Sequence, residues 1–423
     1  MEKQLKDLLA YLSRRILRQY KPTIIGITGS VGKTSAKEAI FCVVSQKYSA
    51  RRGLKNFNNE FGFPFAILGV DSPGKNPFLW IVLIAKALAL IIFNLEFPKV
   101  LILEYGIDRP GDMAHLLSIA RPNIAIITNI GLSHASYFKD FAALENEKGK
   151  LVAGVLPGGT IILNADNPQA LNQKAKTKEK VLLYGLNDPA DIKIFDVREN
   201  LRDAPAGIST TFSVKTPSKE FKCAIKTLGQ PHVFSAAAAI AVGEVLNIDA
   251  DLIVKGLKNY KPVPGRLNVI SGIKKTIIID DTYNAAPDST KAALELLSRF
   301  PSPIKVAILG DMLELGALSE QKHLEIGKMA AGMNLQRLVT VGPQGKLIAD
   351  GAKEAGMNSG KIISFDLSTQ ALNAVQNLLE PGDVILIKGS QGMRMEKITK
   401  EIMAEPMRAQ ELLCRQNEKW LRQ

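Results

Sequence analysis

Residues Ile24 to Ala39, IIGITGSVGKTSAKEA, constrain the fold more than any other part of the chain. An apolar run leads without a break into glycines, then Lys33, Thr34 and a stretch of helix formers. That order demands a strand, a tight loop and a helix, the opening unit of a parallel α/β sheet. Gly29 and Gly32 leave backbone N–H groups free to converge on an anion. The positive end of the following helix and the Lys33 ammonium point the same way. Thr34 offers a hydroxyl to a Mg2+ ion held by phosphates. Ile27 stands where the first glycine of G-x-x-x-x-G-K-[ST] belongs, so the match is to a shorter T-G-x-x-G-K-T form. The alternative is a plain glycine turn followed by a chance Lys-Thr pair.

Strand and helix patterns alternate from residue 24 to residue 248, which predicts a doubly wound, mostly parallel sheet around this loop. Strand Val100–Leu103 ends in Glu104, a carboxylate at a strand tip. It could reach a phosphate-bound Mg2+, or it caps a helix. Strand Ile124–Thr128 leads to His134 on the same predicted edge. The polar loop Arg51–Pro64, with Asn56, Asn58 and Asn59, either connects or binds. Short alternating strands between 190 and 226 predict a small antiparallel patch. Lys261–Ile270 concentrates prolines, a glycine and Arg266, the composition of a hinge; Arg266 there is either a solvated charge or a phosphate contact. Alternation then resumes as a second, Rossmann-like α/β domain whose strand ends carry polar clusters at 279–289, 309–316 and 386–396. The expected division is a basic helix over 1–22, a nucleotide-binding domain over 23–264 and a C-terminal domain over 265–423.

Apolar residues make up 46% and charged residues 22% of the 423, which excludes a disordered chain and supplies two or three cores. The net charge of +13 suits an anionic partner, and residues 1–55 hold 12 Lys and Arg against 3 Asp and Glu. Interleaved aromatics of the kind that bind single strands are missing from that region, so no nucleic-acid partner is expected. Cys42, Cys223 and Cys414 are far apart and read as reduced, consistent with a cytoplasmic protein. Met1–Tyr20 reads as an amphipathic helix and not as a signal peptide.

Pro77–Pro98 is almost wholly apolar. Lys86 falls near its middle, where a charge costs about 3 kcal/mol on insertion scales, and no second span returns the chain. The segment is therefore read as a buried helix or helical hairpin, with peripheral contact at the inner face of a membrane as the alternative.

The strings TGSVGKTS, NFNNEFGFP, LEYGIDRPGDM, ITNIGLSHASYF, DDTYNAAPDS, LGDMLELG and IKGSQGMRME, in this order, resemble the Mur ligases, above all the member that adds D-alanyl-D-alanine to a muramoyl-tripeptide. The resemblance implies an ATP-dependent ligase that forms an acyl phosphate. It implies ATP contacts from Gly29, Ser30, Gly32, Lys33, Thr34, Ser35, Arg266, Asp281, Tyr283 and Asn284. Two Mg2+ ions would be served by Thr34, Glu104, His134 and Lys148, the last carbamylated by CO2. Lys33, Glu104, His134, Lys148 and Arg266 would act in catalysis. Asn56, Asn58 and Asn59 would face the muramoyl-peptide acceptor, and Asp311, Glu314, Lys388 and Ser390 the incoming D-Ala-D-Ala. His323 matches a family position whose role the sequence does not explain. A monomer is expected.

Three features depart from the family pattern. About 22 residues precede the first strand, where the family has a domain that grips a UDP-sugar. Pro77–Pro98 looks like an insertion, and Val233 and Ser235 stand where paired asparagines are expected. Together the first two suggest a membrane-proximal or lipid-linked acceptor. A P-loop switch or nucleic-acid motor is the reading from another class, and it leaves Glu104, His134, Lys148 and the second domain unexplained.

Overall fold

The computed structural model describes residues 2–53, 61–74, 76–302 and 304–421. The acceptor-loop asparagines Asn56, Asn58 and Asn59 lie outside the described residues.

The chain builds two sheets. The first takes β1 (Thr23–Thr28), β2 (Ala50–Arg52), β3 (Val100–Glu104), β4 (Ile124–Ile127), β5 (Thr160–Asn164), β6 (Lys180–Gly185), β7 (Ile192–Asn200), β8 (Ser209–Lys215) and β9 (Glu220–Ile225) in the order 2-3-1-4-5-6-7-8-9. Every pairing from β2 to β7 is parallel, and β7, β8 and β9 form an antiparallel meander. The antiparallel patch expected near residue 200 therefore continues the main sheet. β1 lies between β3 and β4, so the chain leaves it to opposite sides in succession. That reversal opens a crevice at the strands' carboxyl ends, where ligands bind in such sheets.

Successive side chains of a strand point to opposite faces, and here both faces are covered. Ile25 and Ile27 pack with helix α2 (Lys33–Val44) and the alanine-rich helix Gln230–Val245, while Ile24, Leu101, Leu103 and Ile127 pack on the other side. This is why the strands read as unbroken apolar runs.

The second sheet takes β10 (Asn268–Ser271), β11 (Ile277–Asp281), β12 (Lys305–Gly310), β13 (Arg337–Val341), β14 (Ile362–Phe365) and β15 (Val384–Lys388) in the order 10-11-15-12-13-14. All pairings but β10–β11 are parallel. Both sheets fit the doubly wound α/β expectation. Gly265 holds the crossing between them against the exit of β11, its carbonyl accepting from the Tyr283 N–H at 3.0 Å.

The apolar segment corrects an expectation. It forms one helix, α4 (Pro77–Phe93), after α1 (Glu2–Tyr20) and α3 (Gly62–Leu68), and not a hairpin. The Asn76 side chain caps its first turn, accepting from Phe78 and Leu79 N–H groups, and Asn94 ends it in the left-handed region. Nor is it buried as a whole: Leu83, Ala87 and Leu90 alone are buried, against Leu9, Leu12 and Ile16 of α1 and Phe65 and Leu68 of α3. No helix of the described residues is long and apolar enough to cross a membrane.

Candidate active site

The β1–α2 loop has the backbone its glycines foretell. Gly32 caps α2 at φ +85°, a conformation costly for any residue with a Cβ. At Gly29, a Cβ would meet Thr128 Oγ1 at 2.0 Å. The loop is braced from the end of β4: Ser30 N–H donates to the Asn129 carbonyl at 2.9 Å, Val31 N–H to Asn129 Oδ1 at 2.7 Å, and Ser30 Oγ to the Gly131 carbonyl at 2.7 Å.

Three lysines surround this loop. Lys33 Nζ donates to the Gly29 carbonyl at 2.6 Å. Partly exposed at its surface but enclosed by protein mass, it is pushed down to about 8 by loss of hydration, against the pull of Glu104. Lys148 is 1% exposed and reaches the same carbonyl at 3.3 Å. Burial, and then the nearby Lys33 charge, hold its amine well below the usual lysine range. The third is Lys37, which the sequence reading missed. Its buried ammonium lies 3.0 Å from Glu104 Oε1 and donates to the Gly53 carbonyl at 2.9 Å. Its position one helical turn past Lys33 was the available signal, since residues at that spacing share a helix face.

Glu104 pairs in register with Ile27, one residue short of the strand's end. Its other oxygen accepts from Thr34 Oγ1 at 3.2 Å. The pairing of Thr34 with Glu104 expected for a metal is thus present. Among the described residues no group of three or more His, Cys, Asp and Glu could hold a metal alone. Mg2+ on a nucleotide needs less, because it takes one or two protein oxygens and fills its octahedron with phosphates and water. A hydroxyl and a carboxylate side by side at a phosphate loop fit that ion.

His134 lines the same cleft as Thr34 and Glu104. Held at φ +62° just after β4, it places Nδ1 2.7 Å from Glu314 Oε2 of the second domain and Nε2 3.7 Å from Asp108 Oδ1. Glu314 is held below the usual carboxylate range, chiefly by that hydrogen bond.

The second domain closes over the loop with Arg266, Tyr283, Asn284 and Ser390, which share one cleft with Ser30, Lys33, Thr34, Glu104, His134 and Glu314. The Arg266 guanidinium stacks on the Tyr283 ring at 4.1 Å, and its buried Nε has no hydrogen-bond partner. An orphaned charged donor facing a phosphate loop suits an anion. His232, pushed down to about 4 by burial, accepts or donates only within the protein, bridging Tyr260 Oη at 2.7 Å and the Arg266 carbonyl at 3.0 Å. It fixes the hinge backbone that carries Arg266. Asp281 and Lys388 form a buried ion pair, and Lys388 also donates to the Asn284 carbonyl at 3.0 Å. A nucleotide candidate and an amine-side candidate are thereby one unit. Ser35 lines the same interdomain space as Asp281 and Lys388.

Asp311 faces away from this cleft. It is 2% exposed, and its carboxylate accepts from the Gly345 N–H at 2.6 Å. His323 also has a structural account: Nε2 accepts from the Met312 N–H at 2.9 Å, so its proton sits on Nδ1, bonded to the Ser319 carbonyl at 2.7 Å. These two residues shape the loop that presents Glu314. Arg415, near the end of the chain, was also unforeseen. It donates to the Tyr283 carbonyl at 2.9 Å and pairs with Glu396 at 2.9 Å.

Fold and site define a phosphate-loop nucleotide-binding protein whose second α/β domain completes the cleft. The sequence model of the Mur ligase middle domain matches residues 84–243, and that of the Mur ligase glutamate ligase domain matches residues 265–391. The UDP-N-acetylmuramoyl-tripeptide–D-alanyl-D-alanine ligase of Bacillus subtilis is 31% identical over 401 residues, 94% of this chain and 80% of that protein. Its Escherichia coli counterpart is 28% identical over 92% of this chain and 79% of its own length. Among solved structures, MurF from Acinetobacter baumannii superposes with a TM-score of 0.78 at 25% identity, covering 95% of this chain and 80% of that one. MurF from Thermotoga maritima in complex with ADP gives 0.77 at 27%, covering 94% and 83%. This chain belongs to the Mur ligase family.

Proposed function

We propose that this protein is an ATP-dependent carboxylate–amine ligase of peptidoglycan precursor synthesis, joining D-alanyl-D-alanine to the terminal carboxylate of a muramoyl-tripeptide. One observation carries the reading. The phosphate loop and Arg266 line two adjoining pockets, one reaching Glu104 and the other Asp281 and Lys388, in a chain 31% identical to a ligase named for that reaction.

A carboxylate is a poor electrophile for an amine. ATP supplies a γ-phosphoryl group that turns it into an acyl phosphate; the amine then bonds to the acyl carbon, loses a proton and displaces inorganic phosphate. The protein's share is placement and charge rather than a nucleophile. Loop N–H groups, Lys33 and Arg266 bind the phosphates, and the interdomain position of Arg266 makes that binding depend on closure. Thr34 and Glu104 would hold Mg2+, which neutralises phosphate charge when bound. Lys388, paired with Asp281, orients the amine-side substrate's carboxylate. Ser390 fixes the neighbouring loop, its Oγ accepting from the Leu313 N–H at 2.8 Å.

Lys148 would serve a second Mg2+ as a carbamate. CO2 reacts only with a neutral amine, and burial beside Lys33 favours that form. The carbamate would then put an anion in place of a buried neutral amine next to the loop. One chain brings all these groups together, so a monomer would suffice to form the site.

Phosphate release from ATP tests the reading. Hydrolysis should require both a muramoyl-tripeptide and D-Ala-D-Ala. Release that ignores either substrate, or that depends on nucleic acid, overturns it.

A further inference from the structure

Helix α4 is apolar on every side but covered on only one. Opposite Leu83, Ala87 and Leu90, the side chains of Phe78, Ile81, Val82, Leu88, Ile92 and Phe93 are exposed by 67, 64, 48, 44, 68 and 70%. Their spacing of three and four residues sets most of them in one outward stripe, with Ala85 among them. The stripe runs the helix's length, about 25 Å for seventeen residues at 1.5 Å each. It carries no charge. Lys86, the helix's one ionisable residue, lies to the side, and its amine donates to the Gly69 carbonyl at 3.1 Å. On α1, which packs beside α4, Leu8 and Tyr11 are also exposed, by 39 and 54%.

The neighbouring helix is basic. Arg15, Arg18 and Lys21 are exposed on and just after α1, and residues 1–22 hold six Lys and Arg against two Asp and Glu. Near its finish α4 is also tied to α1, where Tyr20 Oη donates to the Leu90 carbonyl at 2.8 Å and Gln19 Nε2 to the same carbonyl at 3.4 Å.

We propose that the α1–α4 face docks on an anionic phospholipid bilayer, with α4 lying in the plane of the membrane at the boundary between headgroups and acyl chains. A helix with an uncharged apolar stripe beside a basic helix has the form of an interfacial anchor. A second copy of the chain would bring the same cations against these, and the like-charge contact disfavours self-association through this face. The proposal does not depend on the ligase reading.

The test is co-flotation of the full chain with phosphatidylcholine vesicles, with and without phosphatidylglycerol. Binding is expected with phosphatidylglycerol and should weaken as salt rises. The double variant Ile81→Glu/Ile92→Glu should bind at least about tenfold more weakly. Arg15→Glu/Arg18→Glu should lose affinity selectively for the anionic vesicles. Both pairs are solvent-facing, and an unchanged circular dichroism spectrum with intact ATP binding shows that the variants fold. Absence of binding by the parent chain, or equal binding by the Ile81/Ile92 variant, overturns the proposal. So does a concentration-dependent dimer of the parent chain that the same variant dissolves, which would make the face a self-association surface.

Discussion

His134, at the edge of the first sheet, and Glu314, on a loop of the second, meet at 2.7 Å across the interdomain cleft. Both residues adopt positive φ, at +62° and +66°, and the Glu314 carbonyl also accepts from the Ser136 N–H at 3.1 Å. On the far side of the domain pair, Glu199 accepts from the Gly229 N–H at 2.7 Å and pairs with Arg299 at 2.8 Å. The cleft is thus pinned at two separated points.

The first pin is partly exposed, so its worth is about 0.5–1 kcal/mol. We expect Glu314→Ala to favour open domains and to raise the KM for ATP a few-fold, with little change in thermal stability. Because the pairing lowers the Glu314 pKa, its contribution is present above the ordinary carboxylate range and is lost as pH falls through the lowered folded value. Small-angle scattering with and without ADP checks it. A variant as compact as the parent, with the same KM, would refute the pin.

Lys37 and Glu104 are 2 and 4% exposed and face each other at 3.0 Å. Removing one member of a buried pair strands the other charge in a medium that cannot solvate it. Lys37→Ala should therefore destabilise the fold by about 3–5 kcal/mol, far more than loss of a surface lysine. It should also disturb the Glu104 carboxylate proposed to serve Mg2+. Urea unfolding of Lys37→Ala, Glu104→Gln and the double variant separates the terms, because a true pair makes the double variant milder than the sum. Strict additivity would mean the two charges act independently.

Lys148 carries the expectation about CO2. With its amine favoured neutral, activity in degassed buffer should fall and return on adding bicarbonate. Lys148→Ala should lose at least about a hundredfold in kcat, a barrier increase of about 2.7 kcal/mol. Short carboxylates should restore part of it by entering the space left behind. Unchanged activity in the variant, or a parent enzyme indifferent to bicarbonate, removes the carbamate from the site.

Much of this was legible in the chain because backbone geometry and local chemistry coincide there. Gly29, Gly32, Lys33 and Thr34 form a strand–loop–helix unit whatever surrounds them, and Glu104 had to fall at a strand tip once Val100–Leu103 was buried on both faces. What was not legible depends on distant partners. Lys37 reads as a surface lysine until Glu104, far along the chain, arrives beside it. Asp311 sits among polar strand-end residues and His323 on the helix that follows, yet their hydrogen bonds turn inward. The apolar sequence of α4 announces a helix that avoids water, but a helix apolar all round has no pattern to say which side the protein covers.

Asp280 lies on the other face of β11. It is fully buried beside the Asp281–Lys388 pair; Thr282 Oγ1 donates to Oδ1 at 2.7 Å and Thr399 Oγ1 at 3.3 Å, while Oδ2 has no partner. Burial pushes its carboxyl up to about 7 from an ordinary 3.8, with the Thr282 hydrogen bond pulling the other way. The folded chain therefore keeps a proton that the unfolded chain has released. Stability should fall as pH rises from about 4 to about 7 and then level off, by no more than about 4 kcal/mol from this group. Asp280→Asn keeps an oxygen for Thr282 and cannot ionise, so its melting temperature should lose that part of the pH slope and exceed the parent's above pH 7. Calorimetry across this range decides: parallel curves for the two proteins would mean that Asp280 ionises in the folded state as readily as in the unfolded one.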